Sequence, residues 1–202
     1  KDSNETLASG VAHVDGIGRE QCSTRTEMFG IMASVSLITY VAKRYNITNG
    51  SVEIYTDSKA SIAKALSKAP LSTKDIFLLD NDIAFELNAR IRSSPVKIKI
   101  CHVKGHQDNE KPYNELPLEA QLNCDMDEKV GNFLDANLVQ DPTYPIFQSQ
   151  KYIVKVKGIV TPNFIPKKLI ESYNNDAWRM HATKRLGIDP TVIKKVDWLP
   201  IG

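Results

Sequence analysis

The sequence has few cysteines and no long hydrophobic run, and each shortage excludes a class of protein. Its 202 residues include three cysteines, Cys22, Cys101 and Cys124, which lie far apart and form no C-x-x-C pair. A disulfide scaffold and a zinc ribbon are therefore not expected, and reduced thiols in an intracellular protein are the default interpretation. The longest apolar-leaning run, residues 29–42, contains two serines and a threonine. It is too short and too polar to cross a bilayer, so no membrane segment is expected.

The chain also lacks an initiating methionine. Lys1 is the first residue, and no charged segment followed by an apolar one comes after it, as a secretory leader would require. We therefore interpret the sequence as part of a longer chain. The residues present are 42% apolar and 25% charged, which is sufficient for a packed core and excludes wholesale disorder.

Charge is unevenly distributed. Residues 142–202 carry ten Lys or Arg and four Asp or Glu, a net charge of +6, which leaves −4 for the rest of the chain. An acidic body that collects cations and a basic tail that contacts phosphates would have this distribution. Two ordinary solvated surfaces would have it as well.

Apolar periodicity predicts strands that alternate with helices, which is typical of an α/β fold. Predicted strands cover residues 6–11, 51–57 and 96–103, and predicted helices cover residues 24–45, 58–66, 73–92 and 117–138. Thr24 and Glu27 have the Thr-x-x-Glu spacing of a capping box. Pro142 and Pro145 indicate a linker. We therefore predict two units, residues 1–141 and residues 142–202.

The second unit is predicted to be a small basic α+β appendix. Alternation over residues 151–160 predicts a strand or a hairpin through Gly158. Helices are predicted near residues 166–173 and 176–186, and a third one follows Asp189, which precedes a proline at the first helical position.

Polar residues follow the predicted strands where α/β folds collect ligands. Asp57 ends its strand, His106 lies in the loop after the next strand, and Glu27 is in the first turn of a helix. Asn123 and Asp127 are four residues apart and share one face of the late helix. Singly, each has an ordinary explanation. Glu27 could complete the capping box and Asp57 could be a plain N-cap, while His106 and Asp127 could be solvated surface residues.

Three carboxylates in one site would repel one another. At about 4 Å and an effective dielectric constant near 20, each like-charged pair costs on the order of 4 kcal/mol. Protonation or a divalent cation relieves such repulsion, and oxygen ligands with open positions suit Mg²⁺ or Mn²⁺. Glu27, Asp57 and Asp127 are therefore candidate metal ligands, and two ions held by them would suit phosphodiester hydrolysis.

Four segments of the chain resemble the ribonuclease H family, in the family's order and at compatible spacing. They are residues 23–30 (STRTEMFG), 51–60 (SVEIYTDSKA), 103–106 (VKGH) and 122–127 (LNCDMD). The resemblance covers roughly residues 6–140 and implies a mixed sheet flanked by helices. It is closest to ribonuclease H domains at the end of retrotransposon-type reverse transcriptase polyproteins, in which a tail closes on a pattern similar to Val196-Asp197-Trp198.

The resemblance implies catalytic roles for the candidate residues. Glu27, Asp57 and Asp127 would be metal ligands in a two-metal hydrolysis of the RNA strand of an RNA–DNA hybrid. His106 would assist proton transfer or product release. Asp127 is preferred to Asp125 because the family places the acid four residues after the asparagine.

Substrate contacts are also implied. Asn123 would touch the substrate or support the metal ligands, and Lys59 and Lys104 are candidate phosphate contacts. The hybrid would be held through its backbone and 2′-hydroxyl groups rather than its base edges.

The strand that opens the family's fold, with its first catalytic Asp, is absent from this stretch of sequence. Asp2 and Asp15 precede Glu27 too closely and lie in turn-like sequence, and residues 151–160 are not expected to replace the strand. We expect an upstream part of a longer polyprotein to supply it, and this stretch alone to be weak or inactive. The main alternative is a nuclease-dead nucleic-acid-binding module. A related metal nuclease or transposase and a purely structural domain are further alternatives.

Overall fold

The computed structural model describes residues 8–14, 22–67, 78–136, 144–150, 153–163 and 165–185, together with Gly187 and Asp189. The helices in these ranges are α1 (Ser23–Arg44), α2 (Lys59–Ala65), α3 (Asn81–Ser93), α4 (Leu118–Ala136) and α5 (Ile165–Arg185). The strands are β1 (Ser51–Thr56), β2 (Lys97–His102), β3 (Lys155–Val156) and β4 (Ile159–Val160). Single 3₁₀ turns at Gln107–Asn109 and Tyr113–Glu115 lie between β2 and α4. The predicted α/β class is confirmed at this level.

The strands β1 and β2 pair in parallel, with Ile54 opposite Ile100 and Thr56 opposite His102. Apolar and polar residues alternate along β1, so Ile54 and Thr56 are buried on one face while the other face is exposed. Parallel neighbours need a crossover connection, and α2 and α3 lie in it. The predicted strands 51–57 and 96–103 are confirmed to within one residue at each end. The loops that follow β1 and β2 start from the same edge of the sheet.

The apolar face of α1 forms the main core. Met28, Ile31, Met32 and Val35 recur at helical spacing and are buried. They cluster with residues of β1, α2, α3 and the segment after α4: Ile54, Ala65, Ile83, Ala84, Leu87 and Phe147. A second, smaller cluster contains Val103, Leu116, Ala120 and Cys124, and it joins α4 to the end of β2.

A buried ionic cluster, formed by Arg25, Lys64, Asp80, Asp82 and Asn163, ties α1 to the start of α3. Arg25 is 0% exposed, and its two terminal nitrogens donate to the Asp82 carboxylate at 2.9 and 2.8 Å. One of them also lies 3.4 Å from Asp80 Oδ1. Asp80 accepts further bonds from Lys64 Nζ at 2.7 Å and from Asn163 Nδ2 at 2.8 Å. Every charge in the cluster therefore has an opposite partner, as buried charges require.

The ionic partners control the protonation of Asp80. Burial by itself would raise the pKa of this carboxyl group. The hydrogen bonds from Lys64 and Asn163 and the positive charges of Lys64 and Arg25 outweigh burial, so the pKa of Asp80 lies below its ordinary value. Asp80 therefore stays ionised at neutral pH and stabilises the fold there.

Residues that follow the predicted linker contribute to this same core. Phe147 is 8% exposed, and its ring centroid lies 5.9 Å from that of Phe29 on α1. The Glu86 carboxylate on α3 accepts hydrogen bonds from the backbone and hydroxyl groups of Ser149. Asn163 pairs reciprocally with Asp80, whose backbone N–H donates to Asn163 Oδ1 at 2.7 Å. The division into residues 1–141 and 142–202 stays a prediction, but Phe147, Ser149 and Asn163 pack on the first unit.

The predicted hairpin in the second unit is confirmed in a shorter form. β3 and β4 pair antiparallel around Lys157 and Gly158, whose φ values of 51° and 83° suit a two-residue hairpin turn. This hairpin forms a sheet of its own and does not join the β1–β2 pair. Residues 153–160 therefore do not replace the strand that the resemblance leaves missing, as expected.

Three predicted elements, one strand and two helices, are wrong where the structure describes them. The strand predicted over residues 6–11 is absent from its described part, residues 8–11, and the ring of the nearby His13 lies 4.7 Å from that of Phe133 on α4. The two helices predicted at 166–173 and 176–186 are one helix, α5. Asn174 and Asn175 lie between the two predicted helices, and each costs a helix at most about 0.7 kcal/mol, which is too little to interrupt it.

The start of α3 also differs from the prediction. Residues 78–80 form a turn in which Asp80 adopts a left-handed backbone conformation at φ 57°, and the helix begins at Asn81. Residues 68–77 lie outside the described ranges, as do Asp2, Asp15, the predicted helix after Asp189 and the closing pattern at residues 196–198. Within the described part of the chain, no helix is both long enough and apolar enough to cross a membrane.

Candidate active site

Glu27 lies on α1 and faces the end of β1. Its Oε2 accepts a hydrogen bond from the Thr56 hydroxyl at 2.8 Å. The capping-box prediction for Thr24 and Glu27 is wrong. The N-cap residue is Cys22, it makes no side-chain capping bond, and Thr24 is already inside the first turn. The carboxylate of Glu27 is directed to the sheet, not to the helix terminus.

Asp57 directly follows β1 at the carboxyl edge of the sheet. Its alternative explanation as an N-cap is wrong, because Ser58 is the N-cap of α2 and its Oγ accepts from the Ser61 N–H at 3.2 Å. Gly105, in the loop after β2, approaches Asp57 very closely. A Cβ at position 105 would lie 2.6 Å from Asp57 Oδ2, so any other residue there would force the Asp57 carboxylate to move.

Asp127 projects from α4 towards the same region. Asn123, one turn earlier, has its Nδ2 at 3.5 Å from Asp127 Oδ2, and His106 Nδ1 lies 3.9 Å from that oxygen. His106 has a left-handed backbone conformation at φ 52°, and its side chain is 74% exposed. Asp125 is directed elsewhere, since its Oδ1 accepts from the Tyr113 hydroxyl at 2.7 Å.

The electrostatics of the three acids are coupled. Burial raises the pKa of Glu27, the Thr56 hydrogen bond opposes this, and the negative charges of Asp57 and Asp127 raise it further. Burial likewise raises the pKa of Asp127, as do the charges of Asp57 and Asp108, while His106 lowers it. Both pKa values are raised from their ordinary values. Glu27, Asp57 and Asp127, which we call the acidic triad, therefore lie close enough to repel one another although they come from three separate elements.

The donor chemistry of the acidic triad fits a divalent cation. Three carboxylates whose ionised forms repel one another would be stabilised by Mg²⁺ or Mn²⁺. Over the ranges that the structure describes, no three His, Cys, Asp or Glu side chains already converge at coordinating distances. The residues thus match the ion in chemical type, and binding would have to draw them closer together.

The two lysines predicted to contact phosphate differ in surroundings. Lys59 is the first residue of α2, is exposed, and lies two residues after Asp57. Lys104 forms an ion pair with Glu110 within the loop after β2. A phosphate would therefore have to compete with the Glu110 carboxylate for Lys104. Among the described residues, Lys59 forms no ion pair, so a phosphate would meet no such competition there.

Sequence reasoning missed three residues at this site. Thr56 bonds to Glu27, Gly105 allows the loop to approach Asp57, and the charge of Asp108 acts on Asp127. The inward face of the alternating strand β1 indicated Thr56, and the glycine of the VKGH segment indicated Gly105. No local pattern indicated Asp108, because the 3₁₀ turn Gln107–Asn109 brings it there.

Comparison with known proteins identifies no relative of this chain. No protein-family model matches it, and neither a curated protein nor a solved structure matches it. The class that the fold and the site define is therefore a mixed α/β protein with a coupled acidic triad beside the carboxyl end of a parallel strand pair.

Proposed function

We propose that the chain is a ribonuclease H-like domain that, in an intracellular polyprotein of the retrotransposon type, hydrolyses the RNA strand of an RNA–DNA hybrid. One observation carries the proposal. Glu27, which lies in the second turn of α1 and not in the first turn as predicted, the aspartate after β1 and the aspartate of α4 are electrostatically coupled, and they belong to three of the four segments that resemble the family. The fourth segment, VKGH, supplies the glycine against Asp57 and the histidine near Asp127.

The acidic triad would hold Mg²⁺ or Mn²⁺. When bound, such ions activate a water molecule and stabilise the leaving oxygen of a phosphodiester. The pKa values of Glu27 and Asp127 are raised, and a bound cation would lower them because its charge favours the ionised carboxylates. Hydrolysis by this route forms no covalent intermediate with the protein.

The remaining site residues would handle the proton and the substrate. His106 is exposed, with its Nδ1 3.9 Å from Asp127 Oδ2, and it would assist proton transfer or product release. Asn123 would help to orient Asp127 or touch the substrate. Lys59 and Lys104 would contact phosphates of the hybrid, with Lys104 leaving Glu110 to do so. An upstream strand bearing a fourth acid would complete the site.

A cleavage assay tests this function. The chain, extended upstream within its polyprotein, is incubated with labelled hybrid and Mg²⁺, and Asp57→Asn is compared with the matched variant Asp125→Asn. We expect Asp57→Asn to lose more than about 100-fold in rate, since even the loss of a residue that only orients a metal ligand costs 10–100-fold. Asp125→Asn should keep most of the rate, because Asp125 bonds to Tyr113 outside the acidic triad.

The other outcomes of this assay are equally informative. Cleavage that survives Asp57→Asn would refute the assignment of the site. Hybrid binding without any cleavage by the extended chain would support the alternative, a nuclease-dead nucleic-acid-binding module.

A further inference from the structure

Thr56 is the last residue of β1, and its hydroxyl makes two hydrogen bonds. The residue is 4% exposed. Its Oγ1 lies 2.8 Å from Glu27 Oε2 and 3.2 Å from the backbone nitrogen of Ser58. An ionised carboxylate can only accept and an N–H can only donate. The hydroxyl therefore accepts from Ser58 and directs its single proton at Glu27.

The same residue supports the backbone on both sides of Asp57. The Ser58 N–H that bonds to the Thr56 hydroxyl closes the turn that contains Asp57. The Thr56 carbonyl accepts from the Val103 N–H at 3.0 Å, at the start of the loop in which Gly105 lies against Asp57. Thr56 thus bonds directly to Glu27 through its hydroxyl group. Its hydroxyl and carbonyl groups also hold the turn and the loop that lie on either side of Asp57.

We infer that Thr56 is a positioning residue that holds the Glu27 side chain in a single orientation and fixes the turn carrying Asp57. Its importance for catalysis rests on the proposed function, whereas the orientation of the two carboxylates does not. The competing explanation is that Thr56 only fills space on the buried face of β1. The two differ because valine has the same shape and lacks the hydroxyl.

Side-chain NMR of the full chain distinguishes these explanations. Three-bond couplings to Cγ report whether the χ1 angles of Glu27 and Asp57 adopt one rotamer or average over several. We expect single rotamers in the wild type and averaged couplings in Thr56→Val. Thr56→Ser, which restores the hydroxyl, should restore the single rotamers. Thr56→Ala serves if Thr56→Val does not fold.

Tyr55→Phe is the matched control. It removes a hydroxyl that donates to a carboxylate, Glu53 Oε2 at 2.8 Å, from the exposed face of the same strand. The couplings of Glu27 and Asp57 should be unchanged in this variant. If Thr56→Val keeps the wild-type couplings at both carboxylates, the inference is wrong and Thr56 only fills space.

Cleavage by the extended chain separates this inference from the proposed function. Thr56→Val should lower kcat with little change in KM, because substrate contacts remain while the ligands lose their orientation, and Thr56→Ser should recover the rate. Averaged couplings in Thr56→Val together with an inactive wild type would sink the proposed function alone. Normal couplings in Thr56→Val together with an active wild type would sink the inference alone.

Discussion

Replacement of Asp80 by asparagine is expected to destabilise the fold by about 3 kcal/mol, the cost of removing one partner from a buried ion pair. Asp80 is 2% exposed and bonds to Lys64 and Asn163, with Arg25 close by. Without its charge, Arg25 keeps Asp82 but Lys64 loses its carboxylate. Asparagine tolerates the left-handed conformation of this position, so the loss would report charge and not backbone strain.

Chemical denaturation of the wild type, Asp80→Asn and Asp176→Asn measures this effect. Asp176 bonds to Lys157 at 2.8 Å, but both side chains are about half exposed, so its variant should lose less than about 1 kcal/mol. The pKa of Asp80 is lowered in the folded state, so its contribution is present above the ordinary pKa of about 3.9 and is lost as pH falls through the folded pKa. The difference in the free energy of unfolding between the wild type and Asp80→Asn should therefore become smaller at acidic pH. Equal losses in the two variants would contradict the role of the ionic cluster.

Replacement of Phe147 by alanine is expected to lower the free energy of unfolding by about 3 kcal/mol, because it removes a buried ring from the main core. The adjacent Ile146 is 56% exposed, and Ile146→Ala should change the free energy of unfolding by no more than about 0.5 kcal/mol. Thermal or denaturant unfolding of the two variants measures the difference.

The effect of Phe147→Ala also tests whether the folded unit extends beyond residue 141. A chain that ends at residue 141 lacks Phe147, the Ser149 donors to Glu86 and the Asn163 partner of Asp80. We expect such a chain to show no cooperative unfolding transition. The opposite result would be a small loss of unfolding free energy in both Phe147→Ala and Ile146→Ala, together with a stable fold of the truncated chain. It would support a domain boundary at residue 141.

Local patterns in the sequence were sufficient where structure depends on near neighbours. Alternation of Val52, Ile54 and Thr56 with polar residues predicted β1, and Pro117 predicted the start of α4 within one residue. Asp57 was predicted to end this strand, and it lies one residue after the strand's last residue. The capping box predicted for Thr24 and Glu27 was wrong because the N-cap residue is Cys22, which has neither a hydroxyl nor an acidic side chain. The start of α1 was therefore predicted one residue late.

Contacts between distant residues could not be predicted in this way. Arg25 and Asp80 are 55 residues apart, and Asp80 and Asn163 are 83 apart. In the sequence each of them looks like an ordinary surface residue. The packing of Phe147 on α1 is likewise hidden, because the proline-containing segment before it is typical of a linker. Burial of these residues appears only once the helices are assembled.

Glu27, Asp57 and Asp127 repel one another, and we propose that a divalent cation relieves this repulsion. The pKa of Glu27 is raised in the folded state by burial and by the charges of the other two acids. A raised pKa means that the unfolded chain loses its proton first, near pH 4.3, so the wild type loses stability as pH rises through the folded pKa. Glu27→Gln does not ionise and keeps an oxygen that can accept from Thr56.

The most direct measurement is the stability of wild type, Glu27→Gln and Asp125→Asn from about pH 4 to about pH 8, in EDTA and in Mg²⁺. In EDTA, Glu27→Gln should become more stable than the wild type as pH rises, by on the order of 1 kcal/mol at neutral pH. Mg²⁺ should stabilise the wild type and Asp125→Asn but not Glu27→Gln. If Glu27→Gln gains nothing with rising pH and Mg²⁺ stabilises all three chains equally or not at all, the three carboxylates do not share a cation site.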